Sequence, residues 1–200
     1  MNLQHWQLLI FWVIYCAVHS LLAEIRIKNY IQNFMGGGFK YYRPLYSFFA
    51  LLTLVLLLWF QFSIKSSWLF TPMIYTYLPG VIAGISGLSV MIICIKKYFY
   101  EMSGLQAIQN SGAKNTLQQS GLHKYVRHPL YLGTLLFIWG LFLIFPLMNN
   151  LIAAIIIAVY VQFGIRLEEK KLRLQFGKSY IEYSKKVPGL IPRLRILKPV

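Results

Sequence analysis

Aspartate is missing from this chain, and glutamate occurs only as Glu24, Glu101, Glu168, Glu169 and Glu182. So small an acid inventory excludes triads built on aspartate and disfavours carboxylate-rich magnesium sites. Cysteine is limited to Cys16 and Cys94, both inside apolar runs, so a disulfide framework is not expected. Charge of either sign is scarce as well: charged residues make up 12% of the chain, against roughly 25% in soluble domains. What fills the chain instead is hydrophobic, 58% of it, gathered into five runs at about 3–22, 45–62, 78–95, 130–147 and 150–166. Most approach the roughly 17–25 residues that cross a bilayer as a helix, with the last the most marginal. The first lacks a basic leader and a small-residue cleavage site, and reads as a retained span rather than a signal peptide. The expected fold is therefore all-α, a polytopic membrane bundle of about five helices.

The formal net charge of +15 invites a nucleic-acid reading, and its distribution argues against one. Lysine and arginine alternate between rich and poor connections. Four lie at 26–43, one at Lys65, five between Lys96 and Arg127, none in the 148–149 turn, and ten from Arg166 onward. That puts 19 of the 20 on one side of five spans (4 + 5 + 10), as the positive-inside rule requires. The expectation is an N-terminus outside, a cytoplasmic C-terminus, and a basic face suited to anionic membrane lipids.

Two units are expected: residues 1–98 as three N-terminal spans, and residues 99–200 as a cytoplasmic loop, a helical hairpin and a tail. Gly36-Gly37-Gly38 reads as a hinge, since it lacks the context of a phosphate-binding loop. Gly80, Gly84 and Gly87 make a small-residue stripe that lets helices approach closely. The polar insertion from Tyr98 to His128 is longer than an ordinary connection, and Pro129 is suited to the first position of a helix. Because Leu147-Met148-Asn149-Asn150 leaves room only for a tight turn, the fourth and fifth spans form an antiparallel hairpin. Arg127 and His128 thereby meet Glu168 and Glu169 at one face. Beyond them, 167–186 reads as an amphipathic helix or helix pair roofing the hairpin, before Pro188 and Pro192 disfavour further helix.

Opposite charges at the mouth of a hairpin suit a zwitterionic ligand. Arg127 and a helix N-terminus attract a carboxylate, a glutamate attracts an ammonium group or accepts from ribose hydroxyls, and Tyr131 can face a sulfonium or stack on a base. S-adenosylmethionine carries all of these groups. The same residues also have a purely structural reading, with Glu169 and Arg173 as a solvated i,i+4 pair, Arg127 among headgroups and His128 as a cap. Cys16 and His19 share a helix face, but too few ligands converge for a metal, and none is expected. His19 is expected to hydrogen-bond within the bundle.

The run Gly121-Leu122-His123-Lys124-Tyr125-Val126-Arg127-His128-Pro129-Leu130-Tyr131-Leu132-Gly133 resembles the RHPxYxG signature of the isoprenylcysteine carboxyl methyltransferase and phospholipid methyltransferase families. Glu168-Glu169-Lys170-Lys171-Leu172, then Phe176-Gly177, Tyr180, Tyr183, Val187-Pro188 and Pro192, resemble their C-terminal pattern. The likeness covers about 115–193. It implies a membrane methyltransferase holding S-adenosylmethionine between hairpin and tail, with Val126, Arg127, His128, Pro129, Tyr131, Glu168 and Glu169 as cofactor residues. Thr116 and Leu117 are weaker candidates for the adenosine side, and His123 stands where the family often has tyrosine. Arg127 and Glu168 are the implied catalytic residues. The implied acceptor is lipidic or a small apolar molecule: a prenylcysteine carboxylate, a phospholipid amine or a thiol. Rival readings are an NADPH-dependent membrane reductase of the sterol type, whose Arg-Asp-Glu grouping is replaced here by Arg166-Leu167-Glu168-Glu169, a non-catalytic scaffold, and a small transporter.

Overall fold

Helix boundaries follow the apolar runs closely. The computed structural model describes residues 2–103 and 117–192, and among these lie six α-helices: α1 (Leu3–Ala23), α2 (Ile25–Met35), α3 (Tyr42–Ser63), α4 (Ile74–Ser103), α5 (Pro129–Ile144) and α6 (Met148–Lys186). The described residues contain no strand, only an isolated bridge between Trp68 and Leu147. Helices α1, α3, α4 and α6 contain apolar stretches long enough to cross a membrane, and α5 is a shorter apolar helix of 16 residues. Their outward faces carry large exposed apolar side chains such as Ile10, Phe48, Leu56 and Ile82. In water such surface would be a liability; in hydrocarbon it is solvated. The chain is an integral membrane protein.

Three details depart from the sequence reading. The basic stretch after α1 is not all loop, because α2 folds there, followed by a 3-10 turn at Gly36–Tyr41 in place of a hinge. The shortest spanning helix is α5 rather than the fifth run, which opens a 39-residue helix. The tail segment 167–186 is a helix pair, as expected, but its first member continues the α6 span without a break and the second begins after Gly177, where φ is +50°.

Packing is tightest between α4 and α5. A Cβ on Gly87 would lie 2.5 Å from Phe137 N and 2.6 Å from Gly133 O, and one on Gly140 would lie 2.5 Å from Gly84 N. The two antiparallel backbones are thus in direct contact, as the glycine stripe of α4 predicts, and α5 supplies the matching glycines. At the end away from the basic loops, α1, α3 and α6 are tied by a buried polar chain. Trp12 Nε1 donates to Gln61 Oε1 (2.9 Å), Gln61 Nε2 to Asn150 Oδ1 (3.1 Å), and Asn149 Nδ2 to the Gln61 carbonyl (2.8 Å). In a low-dielectric interior such a satisfied network specifies one alignment of the helices. Deeper in α1, a ring nitrogen of His19 lies 3.0 Å from Tyr46 Oη, the bundle partner expected of it. The α5–α6 turn is as tight as expected, with Leu147 N bonded to the Phe145 carbonyl (2.7 Å).

Candidate active site

At the basic end of the hairpin the chain doubles back on itself. Val187 ends α6, and the strap that follows lies beside the segment entering α5: Arg127 N donates to Pro188 O (2.8 Å) and His128 N to Gly189 O (3.1 Å). Proline after a helix frees its neighbours from helical pairing, which is why this strap is available. The Arg127 side chain fixes the arrangement. Its Nε donates to Glu169 Oε1 (3.0 Å), its Nη2 makes a second, closer contact with the same oxygen, and its Nη1 donates to the Ser184 carbonyl (3.0 Å) and the Val187 carbonyl. Only a guanidinium serves so many acceptors with one planar fork.

His128 lies beside it, 4% exposed. Nδ1 is 3.4 Å from Glu168 Oε2 and Nε2 is 3.3 Å from Glu169 Oε1. A carboxylate oxygen thus faces each ring nitrogen, and the ring donates through any nitrogen that carries a proton. Burial pushes both carboxyls up, but donors outweigh it. Contacts from His128 and Tyr131 to Glu168, and from Arg127 and His128 to Glu169, hold both carboxyls below their ordinary value of 4.5. A lowered carboxyl stabilises the fold fully above its unfolded value and loses that contribution as pH falls through the folded one. Docking of the strap should therefore be complete above pH 4.5 and fail only below it, read by tyrosine near-UV dichroism of the detergent-solubilised protein during acid titration.

Above this clamp is a cavity of about 410 Å³, within the range of small-molecule sites. Arg127, His128, Pro129, Leu130 and Tyr131 form one wall, Glu168, Lys171, Leu172, Gln175 and Phe176 of α6 the other, and Tyr180 and Tyr183 the roof. Leu117, Gln118 and His123 border it from the segment before α5, while Arg43 and Cys94 reach it from α3 and α4. Burial, then the charges of Lys97 and His128, lower the proton affinity of His123 against an opposing pull from Glu168, so the ring is neutral at pH 7. The hydroxyl of Tyr180 is buried in the roof near the Arg127 guanidinium but without a well-formed hydrogen bond to it, so a polar ligand would complete its bonding. Aromatic walls, one available carboxylate, basic groups and a buried hydroxyl fit a zwitterionic nucleoside.

Of the residues singled out from the sequence, Leu117, His123, Arg127, His128, Pro129, Tyr131 and Glu168 line this cavity. Val126 and Glu169 do not. Val126 is buried, and Glu169 is occupied by Arg127 and His128, with Arg173 3.8 Å from its second oxygen. The solvated-pair reading of Glu169 is therefore partly right, and its main role is to hold the clamp. Thr116 lies outside the described residues. Sequence reasoning missed Arg43 and Cys94, which come from helices far upstream, and Lys171 and Gln175, which follow Glu168 by about one and two helical turns and so share its face. Among the described residues no three His, Cys, Asp or Glu side chains converge as a metal site.

Comparison with known proteins leads to the same region. The chain is 28% identical over 199 residues to methanethiol S-methyltransferase 1 of Bradyrhizobium diazoefficiens, a match covering 92% of this chain and 65% of that relative. It is 25% identical over 187 residues to the methanethiol S-methyltransferase of Crocosphaera subtropica, covering 90% and 71%. A match to the protein-S-isoprenylcysteine O-methyltransferase of Schizosaccharomyces pombe is 32% identical over 111 residues, covering 50% and 46%. No solved structure matches. These names fit the methyltransferase expectation and not the reductase one. The phospholipid methyltransferase model matches residues 79–179, from the glycine stripe of α4 through both walls of the cavity to just past the Gly177 kink, and on that match, just over half of the 200 residues, this chain belongs to the phospholipid methyltransferase family.

Proposed function

We propose that this protein is an S-adenosylmethionine-dependent methyltransferase whose acceptor is a small apolar thiol. The observation that carries this reading is the chamber formed by Arg127-His128-Pro129, Glu168 and the tail aromatics, with the Tyr180 hydroxyl buried in its roof. Bound there, S-adenosylmethionine supplies an electrophilic methyl carbon on a cationic sulfur. Glu168 offers a carboxylate for the ligand's ammonium group or ribose hydroxyls. Tyr131 and Phe176 present aromatic faces that suit adenine and a sulfonium. The clamp through Arg127 and Glu169 keeps the tail over the chamber and so excludes water, which favours a reaction in which positive charge disperses. Arg127 thus acts by positioning rather than by contact with the reacting atoms.

A thiol must lose its proton before attack. His123, neutral and bordering the chamber, accepts it at a ring nitrogen. The thiol reading is supported by the two matches that cover most of the chain, both to methanethiol S-methyltransferases. A second reading, methylation of a prenylcysteine carboxylate, is supported by the shorter match to the isoprenylcysteine enzyme and requires no base. In either case the acceptor arrives from the bilayer. The charge alternation supports a cytoplasmic basic end, and with it a cytoplasmic chamber, and an N-terminus outside. Its lysines and arginines then face anionic lipids, not nucleic acid.

Calorimetry of S-adenosylhomocysteine binding to the purified protein tests the cofactor assignment. Saturable binding by wild type should weaken at least about tenfold in both His128→Ala and Glu168→Ala, the scale for one lost charge-assisted contact. Absence of binding by well-folded wild type, in detergent and again in lipid nanodiscs, overturns the reading and makes NADPH the next ligand to try.

A further inference from the structure

The basic groups around the chamber are not equivalent. Arg127 is consumed by Glu169 and two tail carbonyls, and His128 by the two glutamates. Arg43, from the first turn of α3, and Lys171, from α6, line the same chamber, yet neither has an ion pair or side-chain hydrogen bond among the described residues. Lys171 follows Glu168 by one helical turn, so the α6 wall passes from anionic to cationic over that turn. Glu168 makes no ion pair with Lys171; its own contacts are to His128 and Tyr131. A third cation, Lys28 of α2, stands near: burial lowers its proton affinity, and Lys171 and Arg43 lower it further. Like charges gathered at a partly buried rim with no ion-pair partner of their own repel one another, and an anion seated between them relieves the repulsion.

We infer that Arg43 and Lys171 bind the carboxylate of the cofactor's amino-acid end, so that the first turn of α3 completes a site otherwise built from the C-terminal half. The assignment rests on the cofactor reading above. It moves the carboxylate away from Arg127, where the sequence alone would put it, because four of the five N–H donors of Arg127 already serve Glu169, Ser184 and Val187. It also makes the N-terminal helices part of the site, although the family match begins only at residue 79.

The test compares S-adenosylmethionine with its decarboxylated form, which keeps the sulfonium, nucleoside and ammonium and lacks only the carboxylate. Binding is measured by calorimetry in a maltoside detergent, which carries no phosphate. Wild type should prefer the intact cofactor. Arg43→Gln and Lys171→Gln should each weaken the intact cofactor roughly tenfold, while the decarboxylated form binds unchanged or more tightly, having lost a like charge nearby. An equal loss for both ligands would mean that the two cations only support the fold, and would overturn the inference. Unchanged affinity for both ligands would overturn it as well, assigning the cations to a lipid phosphate instead. Failure of folded wild type to bind either ligand would remove the cofactor reading and this assignment together, an outcome distinct from the other two.

Discussion

Gly140→Ala should prevent a stable bundle from forming, while Gly84→Ala, directly across the same contact, should leave it intact. A methyl group on Gly140 would fall 2.5 Å from Gly84 N and 2.7 Å from Gly80 O. Those are backbone atoms of α4 and have no rotamer to change, so the helices must separate. Overpacking a core that can adjust costs about 1–3 kcal/mol; here the whole α4–α5 contact has to give, and roughly 3 kcal/mol or more is expected. A Cβ on Gly84 meets nothing within 4 Å, so alanine there adds helix propensity, about 1 kcal/mol, without a clash. Thermal unfolding in detergent, followed by tryptophan fluorescence, separates the two. Equal melting temperatures for both variants would refute the backbone contact.

Arg127→Ala should abolish cofactor binding and release the tail. The side chains of Arg127 and Glu169 are only 13% and 17% exposed, and removing one partner of such a pair leaves the other charge poorly solvated, a loss of about 3 kcal/mol or more. The Ser184 and Val187 carbonyls at the end of α6 also lose their donor. Trypsin should then cut at Lys185 or Lys186 well before it cuts wild type. Arg127→Lys should not rescue the protein, since one ammonium cannot reproduce the guanidinium's fork. Wild-type protease resistance in Arg127→Ala would show that the strap is held by its backbone bonds alone.

How much of this was legible in the sequence depended on distance along the chain. Five apolar runs announced the spanning helices because length and hydrophobicity suffice for a helix in lipid. The meeting of Arg127 and His128 with the glutamates followed from one constraint, a turn at 147–150 too short for anything but a hairpin. α2 was hidden because Arg26, Lys28 and the two asparagines of that stretch give a loop-like composition, although Ile27, Tyr30, Ile31 and Phe34 keep helical spacing. Arg43 and Cys94 gave no local signal, since their place at the chamber depends on how α3 and α4 pack against helices formed far downstream. The division of labour between the two glutamates was equally invisible: Glu168 faces the chamber and Glu169 the clamp because neighbouring helical positions point about 100° apart, and the sequence does not say which of the two directions is inward.

The 16 residues of α5 rise only about 24 Å, several ångströms less than a hydrocarbon layer of about 30 Å. Thinning of the bilayer next to this helix is one way to meet its ends. The chamber lies at the N-terminal end of α5, so thinning on that side would set its charged groups deeper than the ends of the neighbouring helices. The proposed cofactor, soluble in water, and the proposed acceptor, dissolved in the membrane, would then meet at one depth, the first without crossing oil and the second without leaving it.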